Sequence, residues 1–106
     1  DESAIPAIYK QRLLDAGHHP TRLTRSFSGR YARGLDNRFM QVMAAHEQQV
    51  PPYPIQNALT GAIRAEAARR GETEWMSLWC GTGVARLRSM PAAQLITTLL
   101  AELAAA

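Results

Sequence analysis

Cysteine and lysine are nearly missing from this 106-residue sequence: Cys80 is the only cysteine and Lys10 the only lysine. A single cysteine excludes an internal disulfide framework and fits a reducing compartment. The three histidines, His18, His19 and His46, have no metal-ligand spacing, so no metal set is expected. No apolar run approaches the ~18 residues of a membrane span and no signal-peptide pattern is present, so the expectation is a soluble, cytoplasmic protein without a membrane partner. Blocks of about five or six like charges, the mark of a nucleic-acid tail, are absent as well. There is no internal repeat. The chain opens on Asp1-Glu2-Ser3 without methionine, which reads as a cut rather than a biological start.

What is present is a hydrophobic fraction of 46%, enough for the core of one small domain, residues 1–106. The net charge is +3, and the excess is arginine, which suits bidentate recognition of carboxylate or phosphate. Five arginines fall between Arg22 and Arg38, beside Gly29, Gly34, Tyr31 and Phe39. That mixture could line a nucleic-acid surface, but the single-sign field is too weak, and arginines in a glycine-rich loop commonly fasten the loop to carboxylates.

The stretch Val50 to Thr60 organises the rest. Pro51, Pro52 and Pro54 remove backbone donors and must stop any preceding helix near Gln49. Pro54 then starts a helix over 55–70, with Ile55, Leu59, Ala62, Ile63 and Ala67 as its expected buried stripe and Gly71 as its stop. Tyr53, Gln56, Asn57 and Thr60 ride on its first turns, where free N–H groups suit an anionic ligand. Taken alone, the same residues also describe a helix after a proline loop with its tyrosine packed for area.

Spacing and caps predict further helices over 4–16, 37–48, 84–89 and 92–103, with Asp36 or Asn37 capping the second. Residues 21–27 read as a strand, giving a mainly α chain with one or two short strands. Tyr9 shares a helix side with Ile5 and Leu13, so its ring should face the core and its hydroxyl seek a polar partner. His18 and His19 read as solvated loop residues, and Cys80 as an inert thiol. Gly81-Thr82-Gly83 has the outline of a phosphate cradle but lacks a third glycine and a preceding nucleotide-fold strand, and a tight turn that admits a close neighbour is the commoner cause of such a pattern. The last helix carries Leu95, Ile96, Leu99, Leu100 and Leu103 as its seam, with fraying alanines behind.

Three blocks carry a family resemblance: Thr24 to Phe39, Tyr53 to Thr60, and Met76 to Gly83 (Met-Ser-Leu-Trp-Cys-Gly-Thr-Gly). In order and spacing they resemble the C-terminal third of the nitronate monooxygenases, also called 2-nitropropane dioxygenases. The resemblance implies an FMN enzyme on a TIM barrel, of which this chain is the helical substrate-side part and from which the barrel, the flavin-phosphate site and the histidine base are missing. No catalytic residue is then expected in the chain. The reaction implied is oxidation of an alkyl nitronate by flavin and oxygen to a carbonyl compound and nitrite, the protein supplying orientation and a place for the anion. By the same resemblance Tyr53 and Tyr9 line the substrate pocket. Asn57 is expected to bind substrate with them, standing where some members have a second tyrosine, and Gly61 stands where some have lysine. Gly81 and Thr82, the latter at a glutamine position of many members, imply a flavin contact. The implied partners are the missing barrel and, through the surface it would leave bare, further copies of the chain. Two other readings stay open: a free-standing helical module for an anionic partner, and part of a related FMN reductase of the enoyl-thioester type.

Overall fold

A computed structural model describes all 106 residues. Four α-helices and one hairpin make it up: α1 (Ala7–Leu14), β1 (Thr21–Thr24), β2 (Ala32–Leu35), α2 (Arg38–Met43), α3 (Ile55–Arg70) and α4 (Ala92–Ala105). Short 3-10 turns cover Ala44–Gln49, Thr73–Trp75 and Val84–Arg86. The class is mainly α with two short strands.

β1 and β2 pair antiparallel, from Thr21 opposite Leu35 to Thr24 opposite Ala32. β2 lies where the sequence shows only a glycine-rich, arginine-rich loop, because its pairing comes from neighbours rather than from its own propensity. On its second edge the segment Leu78 to Cys80 adds a partner: Leu35 N donates to Leu78 O at 3.0 Å, and Cys80 N donates to Arg33 O at 3.1 Å. Gly34 permits this approach, since a Cβ there would sit 2.8 Å from Leu78 O.

The expected strand 21–27 ends at Thr24. Beyond it the backbone amides leave the ladder, Arg25 N donating to Glu47 Oε1 at 2.7 Å and Ser26 N to Thr24 Oγ1 at 3.0 Å. The helix expected over 4–16 is shorter, because Pro6 takes an extended ψ of 146° and caps it from outside. The one expected over 37–48 is α-helical only to Met43, then tightens to 3-10 form up to Gln49, ahead of the prolines. Asn37 is its cap, accepting from Met40 N at 3.2 Å. The same side chain donates to Met76 O at 2.7 Å and Thr73 O at 3.2 Å, and so ties the hairpin's exit to the turn at Thr73–Trp75. The helix expected over 84–89 is a single turn, Leu87 being extended with ψ 145°. α4 runs on to Ala105, so the closing alanines continue the helix, as their propensity allows.

Two small cores hold the chain together. One gathers Ala16, Leu35, Ala67, Met76, Leu78 and Val84, with Tyr9 and Leu13 of α1 against it. The other is aromatic: Phe27 stacks on Phe39 at 4.3 Å, and Trp79 and Trp75 meet them edge-on. Only 15 of the 106 residues are buried, and the molecule measures 49 × 27 × 24 Å.

α3 starts and stops where expected, Gly71 closing it with φ 70°. Its buried face matches expectation only at Ala67. Gln56, Thr60 and Ala67 are buried, while Ile55, Leu59 and Ile63 are 54%, 61% and 47% exposed. The cause lies in the turn after β1, whose buried carbonyls need donors: Gln56 Nε2 donates to Ser26 O at 2.7 Å and Thr60 Oγ1 to Phe27 O. α4 likewise buries no residue. It is fastened by charge, with Glu2 accepting from Ala92 N and Arg88 paired to Glu102 through two contacts of 2.7 and 2.8 Å. No helix is long and apolar enough to cross a membrane.

Candidate functional site: a cationic rim at the start of α3

The proline segment and the turn after β1 are built against each other. Gly29 has φ 95°, and a Cβ on it would lie 2.7 Å from Pro52 C, 2.9 Å from Pro51 O and closer still to Tyr53 N. The two backbones therefore touch, which only glycine allows. Arg25 clamps the arrangement by donating to Glu47 O at 3.1 Å, Val50 O at 3.4 Å and Gly29 O at 3.4 Å. Of the arginines expected to fasten the loop, Arg25 does so through carbonyls, while Arg22 meets a carboxylate, Asp36, at 3.2 Å.

Tyr53 emerges from this junction 47% exposed, with the Arg30 guanidinium 4.8 Å over its ring. One helical turn on, Asn57 is half-buried and held by Arg64, which donates to its Oδ1 at 3.0 Å and its carbonyl at 2.7 Å. With Oδ1 occupied, the amide Nδ2 hydrogens are the free end of that side chain. Asn57 and Arg64 on α3, and Tyr53 with Arg30 at the segment that leads into it, thus offer donors and positive charge around the helix start. Gly61 has only the Arg64 guanidinium nearby, at 4.0 Å from a notional Cβ.

Tyr9 is placed elsewhere. Its ring packs on the first core and its hydroxyl donates to Trp79 O at 3.2 Å, the polar partner its position called for. Burial pushes its ionisation above the ordinary phenol value. Because its proton is committed to a carbonyl, the hydroxyl has only lone pairs to offer a ligand. Trp79 leads to Cys80, whose thiol burial also pushes upward, against a smaller opposing effect of Arg33, as suits an unreactive cysteine. Gly81 and Thr82 follow, both exposed. No hydrogen bond joins this group to Tyr53 and Asn57, and Trp79 instead meets Phe27 edge-on at 5.5 Å.

The Gly81-Thr82-Gly83 turn is open and short. Gly81 has nothing within 4 Å of a notional Cβ, Gly83 is closed by the Arg86 guanidinium at 3.1 Å, and the helical turn that follows has three residues. His18 is exposed as expected, whereas His19 is half-buried, its Nε2 2.6 Å from Asp36 O, because the loop folds back over the hairpin's end. No three His, Cys, Asp or Glu side chains gather as a metal site. The largest cleft, about 470 Å³, opens on the other flank of α3 between Ile63, Ala67, Arg70 and Trp75, away from Tyr53. Arg30 was not separable in the sequence from the other loop arginines; the signal was Gly29, whose positive φ and close contact set its neighbour beside Tyr53.

Fold and site together define a mainly helical module that presents a cationic, aromatic rim. The model of the nitronate monooxygenase family matches residues 1–102, and the chain belongs to that family. It is 39% identical over 102 residues to a protein of Bacillus subtilis (strain 168) named "probable nitronate monooxygenase", and 35% identical over 102 residues to one of the same name in Staphylococcus saprophyticus. Those alignments cover 95% and 96% of this chain. The chain spans 29% of the length of these relatives. A crystal structure of nitroalkane oxidase from Streptomyces ansochromogenes superposes with a TM-score of 0.87 at 42% identity, covering 98% of this chain and 29% of that one.

Proposed function

We propose that this chain is the substrate-side part of an FMN-dependent nitronate monooxygenase. In this reading the whole protein oxidises alkyl nitronates with oxygen to a carbonyl compound and nitrite. The observation that carries it is the match to the family over residues 1–102, supported by the 42% identity to a nitroalkane oxidase. The rim at the start of α3 fits the task, since the substrate is a small anion and the rim offers Tyr53 and the Asn57 amide beside arginine.

FMN does not fit a site made by these residues alone. The Gly81-Thr82-Gly83 turn is open and exposed, so it serves as a rim contact to a flavin held by the rest of the protein. Bound there, FMN would supply the electron acceptance that no side chain offers. The residues of this chain bind and orient the anion and cover it from water. Tyr9 stands behind them, holding the backbone at Trp79 that leads to Gly81 and Thr82.

The test is nitrite release in air from propionate 3-nitronate by the full-length protein, with a visible flavin band. The 106-residue chain alone should be silent. Nicotinamide oxidation without nitrite would move the parent to the flavin reductases, and turnover by the isolated chain would contradict the division of labour proposed.

A further inference from the structure

Arg30 is exposed and follows Gly29 directly, and its guanidinium carbon lies 4.8 Å from the Tyr53 ring centre. Its backbone is fixed from two sides. Ser28 Oγ accepts from Arg30 N and donates to Arg30 O, both at 3.2 Å, while Arg25 holds Gly29 O at 3.4 Å. The ring beneath comes from the proline segment, packed on Gly29 with no room for a Cβ. Loop and ring are therefore locked to each other, and the guanidinium is the part left outward.

No carboxylate pairs with it. The arginine ion pairs of the chain use Arg22, Arg69, Arg70 and Arg88. Glu47, within the same junction, is turned to Arg25 N at 2.7 Å, and Arg64 is spent on Asn57 and Thr60. A positive charge has thus been set over an aromatic face, in a rigid loop, without its counter-charge. A guanidinium keeps its planar fork of donors, and that fork matches a planar anion with two equivalent oxygens. A nitronate is such an anion, its charge shared over the two oxygens on nitrogen.

We propose that Arg30 binds the nitro-group oxygens of the nitronate, with Tyr53 as the platform that fixes the guanidinium and the Asn57 amide as a second donor. This assignment rests on the nitronate reading above and names the residue that would make the site selective for the anion over its neutral conjugate acid.

The test uses the full-length protein that carries this chain, as wild type, Arg30→Gln and Arg30→Lys. The substrates are 1-nitropropane and its nitronate, which differ by one proton, and nitrate binding by calorimetry reports the anion site without turnover. Arg30→Gln is expected to lower kcat/KM for the nitronate about tenfold or more, chiefly through KM, and to weaken nitrate similarly, while the neutral nitroalkane changes less than about twofold. Arg30→Lys should recover part of the loss, since it keeps the charge but not the fork. Unchanged nitronate and nitrate constants in Arg30→Gln would overturn the assignment while leaving the nitronate reading in place. Nitrate binding that depends on Arg30, in a protein that releases no nitrite from either substrate, would keep the anion site and overturn the nitronate reading instead.

Discussion

Gly29 decides more of the site than any residue that could touch a substrate. Its φ of 95° is a conformation that a side chain tolerates only at a cost of about 1–3 kcal/mol, and the space a Cβ needs is already filled by Pro51, Pro52 and Tyr53 backbone. Gly29→Ala should therefore lower the thermal midpoint by several degrees and loosen Tyr53 from Arg30, read as a rise in tyrosine quenching by iodide. An unchanged midpoint would mean that the two backbones can part at no cost. Tyr9 gives a second prediction at this scale. Removing its hydroxyl leaves Trp79 O without that donor, so Tyr9→Phe should cost about 1 kcal/mol by denaturant titration. Burial raises the Tyr9 ionisation above its unfolded value, so its contribution is whole below the ordinary phenol range near pH ~10 and is lost as pH climbs through the higher folded value. The phenylalanine variant should lack this alkaline loss. If both proteins weaken in parallel above pH ~10, the hydroxyl is not buried as described.

At the scale of the element, α3 shows what could be read from the sequence and what could not. Its bounds were legible because prolines and Gly71 act locally: Pro54 φ and Gly71 φ are set by those residues themselves. A cap at Asp36 or Asn37 was legible for the same reason, and the structure assigns it to Asn37. Its buried face was not, because periodicity reports which side is apolar and not what the neighbouring element requires. Here the neighbour required donors for Ser26 O and Phe27 O, and Gln56 and Thr60 supplied them. β2 escaped notice by the same logic, since its partners are β1 and the segment at Leu78, far along the chain. Arg30 stood out only once Gly29 had placed it. A pair of substitutions tests this account of α3. Thr60→Val keeps the shape but strands a buried carbonyl and should cost about 1–3 kcal/mol, whereas Leu59→Ser in the isolated chain should stay within about 0.5 kcal/mol. The reverse order would show that the apolar stripe, not the polar face, docks α3.

Across the whole molecule the apolar residues outnumber the places to bury them. Ile55, Leu59 and Ile63 on α3 and Ile96, Leu99, Leu100 and Leu103 on α4 are between 46% and 71% exposed, as two separate helical stripes. Contiguous bare stripes of this kind mark surfaces that meet something else, and single scattered leucines would not. The chain spans 29% of its relatives, and in the reading proposed above the rest of the protein covers one or both stripes. The isolated chain has only itself. It should therefore self-associate, with a sedimentation coefficient that rises with concentration, and serine at Leu59 and Leu100 should restore the monomer without unfolding it. In the full-length protein the same two substitutions should instead destabilise, because there they remove buried area worth about 1.5–3 kcal/mol per leucine. A wild-type chain that stays monomeric at millimolar concentration would overturn self-association, and unchanged stability of the doubly substituted full-length protein would overturn the burial of the stripes there.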